Sequence, residues 1–170
     1  MNNIKKKIDF ALVFTATKCN PNGDPLDGNR PRTDIDGFGE VSDVCLKRKI
    51  RNRLLDMGEN IFVQSDDNRN DTDRSLRDRA DDCEALKAAK SDRTEYAKAA
   101  CGEWFDVRAF GQVFAFKDNK KSKKKGDENS EEGENSDSVS IGIRGPVSIQ
   151  MAVSSDPVDI NVMQITKSVN

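Results

Sequence analysis

The chain has 170 residues, which allows one domain, or one domain with a large insertion. It carries 28 Lys and Arg against 30 Asp and Glu, so it is not a uniformly basic nucleic-acid binder, although a local basic patch remains possible. The absence of histidine excludes Ser-His-Asp triads and histidine-bound zinc. Four cysteines without a CxxC motif, and no apolar run near the roughly 18 residues of a membrane span, predict a cytoplasmic protein with no zinc site and no membrane partner.

The first predicted element is a half-buried strand over residues 8–17, because apolar side chains alternate with others there. The residues of one face are Ile8, Phe10, Leu12, Phe14 and Ala16. The turn-forming stretch 20–25 (NPNGDP) should end this strand, and a polar loop rich in Gly and Pro should continue to about Gly39.

A helix is predicted from Asp43 to about Met57, with Ser42 as its N-cap and Gly58 as its C-terminal stop. Apolar residues at helical spacing should form its buried face: Leu46, Ile50, Leu54 and Met57.

The same helix predicts a basic flank, because Lys47, Arg48 and Arg51 are three or four positions apart. Together with Arg30 and Arg32 in the preceding loop, this flank and the helix N-terminus favour a local anion site. The alternative is that these residues only solvate an exposed helix face.

The region after this helix changes in composition. Residues 59–103 form a predicted insertion, helical from Arg74 to Ala100. Its apolar stripe consists of Leu76, Ala80, Cys83, Leu86 and Ala89. Core composition resumes at Trp104, before a predicted strand over 110–116.

Residues 117–138 form a low-complexity segment, with lysines first and acidic residues after them, which we expect to be flexible. A strand over 139–153, broken at Gly145-Pro146, should follow it. A turn at 155–157 and a last strand from 158 to about 169 complete the predicted elements.

Several nucleotide and metal motifs fail on inspection. Gly23 and Gly28 have P-loop spacing, but Asn29-Arg30 replaces the required Lys-Ser/Thr. Asp34-x-Asp36 lacks the closing glutamate of an EF-hand. The outward face of the 8–17 strand carries no aromatic residue, so RNA binding there should be directed to the backbone and not to stacked bases.

Five blocks of sequence, in order, resemble one family. Residues 20–32 (NPNGDPLDGNRPR) and 41–52 (VSDVCLKRKIRN) closely resemble the start of the backbone subunit of type I-C CRISPR Cascade complexes, the Cas seven family. The other matching blocks are 105–111 (FDVRAFG), 143–147 (IRGPV) and 155–158 (SDPV).

The resemblance implies an α+β fold, in which a modified RRM-like, ferredoxin-like palm carries a helical finger insertion and a flexible thumb-like hairpin. We expect one domain over residues 1–170, the N-terminal part of such a subunit, with the second half of the palm missing and a sheet edge left open. The implied partners are a CRISPR guide RNA, target DNA through guide pairing, other Cascade subunits and further copies of the chain. No cofactor, metal or catalytic residue is implied.

The resemblance and the basic residues together place the RNA contacts at nine positions. They are Asn20, Asn22, Arg30, Arg32, Lys47, Arg48, Arg51, Arg108 and Arg144. For Arg108, a structural ion pair is the alternative. We expect Trp104, Phe105 and Phe110 in the core, and Asp106 and Asp156 at turns or caps.

Two other functions remain open at this point. Related subunits of type III complexes cut RNA with a loop aspartate, and Asp24, Asp27 and Asp34 lie in the corresponding loop, so a metal-dependent ribonuclease is one alternative. A protein-interaction fragment without RNA affinity is the other.

Overall fold

The structure, a computed structural model, describes residues 5–89, 92–115 and 140–163. The chain divides into two compact units. The first unit combines Met1–Cys45 with Met151–Asn170, and the second unit is Leu46–Gln150. The described strands are β1 (Gly23–Asp24), β2 (Arg30–Pro31), β3 (Phe38–Val41), β4 (Gly111–Ala115), β5 (Ser140–Arg144) and β6 (Ala152–Pro157). The described α-helices are α1 (Asp43–Asp56), α2 (Leu76–Asp82), α3 (Glu84–Ala88), α4 (Arg93–Glu103) and α5 (Phe105–Phe110). This mixture of helices and antiparallel strand pairs is an α+β structure, as expected.

The described residues of the first unit form two antiparallel strand pairs. β1 and β2 form a small hairpin, and β3 pairs with β6. The register of the second pair shifts between Phe38 and Glu40. At this irregularity the N–H of Gly39 donates to the hydroxyl of Ser154 at 2.9 Å, so a side chain satisfies a donor at the bulge.

The predicted strand over residues 8–17 is wrong. These residues form no strand or helix, and their apolar side chains are exposed, with Phe10 63% and Leu12 58% accessible. A strand exists only when its backbone bonds to a second strand, and none of the described strands pairs with 8–17. Alternation of side chains alone does not supply that partner.

The predictions near the C-terminal end also need correction. Residues 155–157, predicted as a turn, lie in β6. Residues 158–163, predicted as the start of the last strand, form no strand, and the rest of that prediction lies outside the described residues. The strand predicted over 139–153 is confirmed over β5, with no strand from Gly145 to Met151.

Helix α1 begins and ends where its capping residues predict. The amide of Cys45 donates to the Ser42 hydroxyl at 3.3 Å, which is the bond expected of an N-cap. Gly58 has a φ of +86°, and the amides of Gly58 and Glu59 return to the carbonyls of Leu55 and Leu54. These two bonds are a Schellman motif, which explains the stop. Of the predicted buried face, Leu46 is buried, Ile50 and Leu54 are half-buried, and Met57 is 66% exposed.

Within its described residues, the predicted helical insertion contains three helices and not one. The residue between α2 and α3, Cys83, is extended (φ −71°, ψ 113°), which ends the first helix. Asp92 then starts α4 by accepting the amides of Thr94 and Glu95. Of the predicted apolar stripe, Ala80 and Leu86 are buried, whereas Leu76 is 39% exposed.

The core of the second unit is aromatic. The ring centroids of Phe62 and Trp104 lie 4.6 Å apart, and those of Phe62 and Phe114 lie 5.0 Å apart. Tyr96 meets Phe114 edge to face at 5.4 Å. Trp104 is therefore a core residue, as predicted, while Phe105 is half-buried.

Strands β4 and β5 form an antiparallel hairpin that packs Phe114, Ile141 and Ile143 against this core. Gly111 begins β4 with a φ of +81°, and a Cβ at this position would collide with the backbone of Ile143 and Gly145. Only glycine suits this approach of two backbones. The charged segment predicted over 117–138 lies outside the described residues. None of the described helices is long and apolar enough to cross a membrane.

Candidate nucleic-acid interface

Residues 20–32, the part of the loop with the strongest RNA prediction, form an ordered turn, here called the 20–32 hairpin. A one-turn 3₁₀ helix, Pro25–Asp27, occupies its tip between β1 and β2. Gly28 and Asn29 follow with φ values of +57° and +60°, which glycine and asparagine accept more readily than other residues. The amide of Asn29 closes the turn by donating to the Asp24 carbonyl at 2.8 Å.

The two predicted asparagines of the hairpin bond to the chain itself. Asn20 Nδ2 donates to the carbonyl of Asn29 at 2.6 Å. Asn22 Oδ1 accepts both the amide and the hydroxyl of Ser42, at 2.8 and 2.9 Å. Asn22 therefore holds the residue that caps α1, so its amide oxygen has a structural task.

The predicted arginines of the hairpin, Arg30 and Arg32, differ in their surroundings. The Arg30 side chain is exposed and has no hydrogen-bond or ion-pair partner among the described residues, although the Arg30 backbone pairs with Asp24 of β1. Arg32 Nη2 lies 3.5 Å from Asp24 Oδ1, with 39% of the Arg32 side chain exposed. The buried Nε of Arg32 has no hydrogen-bond partner. The protein thus leaves both guanidinium groups with unused donor capacity.

Asp24 has two partners at one oxygen. Its Oδ1 accepts the amide of Leu26 at 3.0 Å, which caps the 3₁₀ helix, and it also faces Arg32. Asp34 accepts the amides of Asp36 and Phe38. Within the described residues, no group of three or more Asp, Glu, Cys or His side chains could hold a metal ion.

The basic flank of α1 was predicted to be an open surface of Lys47, Arg48 and Arg51. Two of these three residues, Arg48 and Arg51, instead bond to acceptors of the protein itself. Arg51 Nε donates to Asp106 Oδ2 at 2.9 Å, and the two side chains are 12% and 1% exposed. Arg48 Nη1 donates to the carbonyl of Val63 at 2.7 Å. Burial lowers the pKa of the Arg48 guanidinium, and the neighbouring Arg51 charge lowers it further. Arg48 and Arg51, the interior arginines, are committed to acceptors within the second unit.

Asp106 is not the turn or cap residue that the sequence predicts. Its buried carboxylate accepts the amide of Phe62 at 2.7 Å and that of Val63 at 3.1 Å, besides the bond from Arg51. Residues 61–63, here called the 61–63 segment, belong to no described strand. Side chains therefore satisfy the backbone groups that a sheet would otherwise pair.

Two more side chains complete this arrangement. Gln64 Nε2 donates to the Ile61 carbonyl, and Arg79 Nη1 donates to the Phe62 carbonyl at 2.7 Å. Arg79 also forms a two-pronged pair with Asp71, at 2.7 and 2.8 Å. That hydrogen-bonded pair raises the pKa of Arg79 and lowers the pKa of Asp71, while burial and the Asp71 charge raise the pKa of Asp73.

The remaining predicted contacts have mixed surroundings. Arg108 is exposed, but its Nη1 donates to the Cys101 carbonyl at 2.6 Å and its guanidinium lies over the Phe105 ring. The ion-pair alternative for Arg108 is replaced by this carbonyl bond. Arg144 is exposed in β5 opposite Gly111. Lys47 is half-buried and has an interaction of its own.

Sequence reasoning undervalued the opposite flank of α1. Lys49 and Arg53 are both exposed, lie four residues apart and have no side-chain partner among the described residues. The i, i+4 spacing that grouped Lys47 with Arg51 groups these two equally well. The two flanks differ in burial, because Arg48 and Arg51 are half-buried whereas Lys49 and Arg53 are exposed. In the sequence, the one signal for this difference is the apolar helix face beside Arg51.

Comparison with known proteins agrees with the motifs. A family described as "CRISPR-associated protein Cas7" matches residues 6–170. The curated "CRISPR-associated protein Cas7" of Haloferax volcanii is 38% identical over 116 residues, which are 64% of this chain and 32% of that protein. The aligned part thus spans about a third of the relative's length. Since the family match extends over nearly all of the sequence, the chain belongs to the Cas7 family of CRISPR-associated proteins.

Proposed function

We propose that this chain binds a CRISPR guide RNA as a non-catalytic backbone subunit, holding the sugar–phosphate chain without reading the bases. Membership of the Cas7 family over residues 6–170 is the observation that carries the proposal. Such a subunit must accept any guide and leave base edges free, because sequence recognition belongs to pairing between guide and target.

The 20–32 hairpin is the proposed centre of the RNA contact. Its backbone is held by bonds within the hairpin and to the start of α1, so its arginines project from an ordered base. Arg30 and Arg32 keep exposed guanidinium donors, and arginine forks suit phosphate oxygens. Asn20, the first residue of the hairpin, is exposed and is also a proposed contact.

The other predicted contacts divide into residues proposed to touch RNA and residues proposed to support the fold. Lys47, Arg108 and Arg144 are proposed as further phosphate contacts. The interior arginines are proposed to act indirectly, by fixing α1 to the 61–63 segment, because their donors face protein acceptors.

The finer assignment rests on the sequence blocks. We propose that the complex is a type I-C Cascade, in which several copies of the subunit lie along one guide beside other Cascade subunits. We also propose that the chain forms the N-terminal part of an RRM-like palm, with residues 59–103 as the inserted finger.

The test is RNA binding by the 170-residue chain, measured by fluorescence anisotropy. Two RNAs of equal length and unrelated sequence should bind with the same Kd. Replacing Arg30 and Arg32 with Ala should weaken both alike and reduce the slope of log K against log salt by about 1.4, the value for two single-strand phosphates. Replacing Lys87 and Lys98 with Ala removes the same charge from exposed sites paired to Glu84 and Glu95, and should change little.

A marked preference for one RNA would contradict contact through the backbone. Equal losses in the two double variants would mean that net charge, and not the hairpin, controls binding. Regular cleavage of RNA in the presence of Mg²⁺ would favour the ribonuclease alternative.

A further inference from the structure

The carboxylate of Asp24 makes an unusual neighbour for a phosphate site. The 20–32 hairpin contains two arginines and two aspartates, Asp24 and Asp27, so its side chains carry no net charge. An aspartate near a polyanion site repels the ligand unless it has another task. Simple electrostatics therefore predicts that removing either aspartate would strengthen RNA binding.

The geometry separates the two aspartates. Asp24 Oδ1 lies 3.5 Å from Arg32 Nη2, whereas Asp27 is exposed and has no side-chain partner among the described residues. Asp24 sits on β1, and its own position is set by the Leu26 amide and by the bond from Asn29 to its carbonyl. A fixed carboxylate beside a long side chain limits the directions that the guanidinium can take.

Arg32 is equally well held at its backbone. Its amide donates to the Asn22 carbonyl at 3.0 Å, and its carbonyl accepts the Glu40 amide at 2.9 Å. Only the guanidinium remains adjustable. The pair with Asp24 is long, the buried Nε has no acceptor, and 39% of the side chain stays exposed. The protein orients this guanidinium without saturating it, and a phosphate has several oxygens to offer the remaining donors.

We propose that Asp24 is a positioning residue, which orients Arg32 toward a phosphate of the bound RNA. The inference rests on the proposed function and assigns Asp24 a role other than metal-dependent cleavage. Its consequence is opposite in sign to simple electrostatics: removal of this negative charge weakens binding to a polyanion.

The variants Asp24→Ser and Asp24→Asn test the inference. Serine is a good N-cap and keeps the bond to Leu26, but its short side chain does not reach Arg32. Asparagine keeps an uncharged acceptor for both. We expect Asp24→Ser to weaken RNA binding about threefold or more, in the range of couplings between residues in contact, and Asp24→Asn to weaken it less. In an Arg32→Ala background, Asp24→Ser should cause no further loss.

The matched control is Asp27→Ser, which removes the same charge three residues away. It should leave affinity unchanged or raise it slightly. Order at the Arg32 Nε–H, measured by heteronuclear NMR in the free protein, should fall in Asp24→Ser and persist in Asp27→Ser. This measurement separates a loss of orientation from a general loss of the hairpin.

Each outcome decides the inference. Stronger RNA binding by Asp24→Ser, or an unchanged Arg32 signal, would overturn it and leave the proposed function intact. Unchanged affinity with loss of Mg²⁺-dependent RNA cleavage would overturn it in favour of catalysis by Asp24. A wild-type chain that binds neither RNA would overturn the proposed function, and the phosphate role of Asp24 with it.

Discussion

Two pairs of arginines, close in sequence and both predicted to bind phosphate, have different surroundings. The hairpin arginines, Arg30 and Arg32, keep exposed donors, and one acidic neighbour lies 3.5 Å from Arg32. The interior arginines, Arg48 and Arg51, donate to a backbone carbonyl and to a buried carboxylate at 2.7 and 2.9 Å. Both pairs are charged at neutral pH, so their charge does not distinguish them.

The difference depends on the acceptors that the fold places nearby. A guanidinium beside a buried carbonyl or carboxylate stabilises the fold by donating to that acceptor, which would otherwise be unsatisfied. Its donors are then not available to a ligand. Asp106 is such an acceptor beside Arg51, and no buried acceptor among the described residues takes the Nε–H of Arg32. The comparison predicts that the interior pair controls stability and the hairpin pair controls affinity.

The largest expected effect is that of Asp106→Ala. It removes the acceptor of two backbone amides and leaves Arg51 unpaired in a nearly buried site, so the free energy of unfolding should fall by about 3–5 kcal/mol. Urea unfolding followed by the fluorescence of Trp104, the one tryptophan in the sequence, measures it. Asp66→Ala, at a fully exposed aspartate, should change stability by less than about 0.5 kcal/mol.

The next largest effect is expected from replacing one arginine of each pair with Met. Arg51→Met should lower the free energy of unfolding by about 1–3 kcal/mol, since Asp106 loses a charged partner. Arg32→Met should leave stability within about 0.5 kcal/mol and instead weaken RNA binding. Loss of affinity in Arg51→Met without loss of stability would show that the interior pair contacts RNA after all.

A smaller effect is expected at the base of the hairpin. Asn22→Ala removes both acceptor contacts to Ser42, which should cost about 1 kcal/mol and loosen the start of α1. Faster hydrogen exchange of the Ser42 amide would report it. Asn22→Asp retains an acceptor oxygen and should keep that amide protected; equal exchange in the two variants would contradict the capping role.

The effect that is smallest at neutral pH concerns Tyr96 in the aromatic core. Burial raises the pKa of Tyr96 to about 12, with smaller contributions from Asp81 and Cys83. Because the folded-state pKa lies above the unfolded value near 10, this stabilising contribution is complete below about pH 10 and is lost as the pH rises toward 12. Tyr96 is the one tyrosine of the sequence, so tyrosinate absorbance follows it alone. Titration near 10 in the folded protein would mean that water reaches the ring.

Local sequence signals predicted the limits of α1 well. The N-cap at Ser42 and the C-terminal stop at Gly58 depend on bonds that span at most five positions, so neighbours in sequence determine them. Cys83 and Asp92 were missed for a related reason: the apolar stripe over 76–89 continues through the break at Cys83, and spacing alone does not show an extended residue.

The candidate site was predicted less completely. Motif resemblance pointed to the loop that contains Arg30 and Arg32, and the family match supports the resemblance itself, while RNA contact by these arginines stays a prediction. The role of Asp106 depends on amides 43 and 44 residues earlier in the chain, a separation that no local pattern encodes. The strand predicted over residues 8–17 was wrong for the same reason, because a strand needs a pairing partner from a distant part of the chain.

By itself, the sequence determined the family, the α+β class and the capped ends of its longest described helix. These features arise from residue identity and from bonds of short range. Only the tertiary structure decided which cations face protein and which keep free donors, because that depends on buried acceptors from distant segments. Asp106, placed beside Arg51 by folding, turns a basic helix flank into part of the interior.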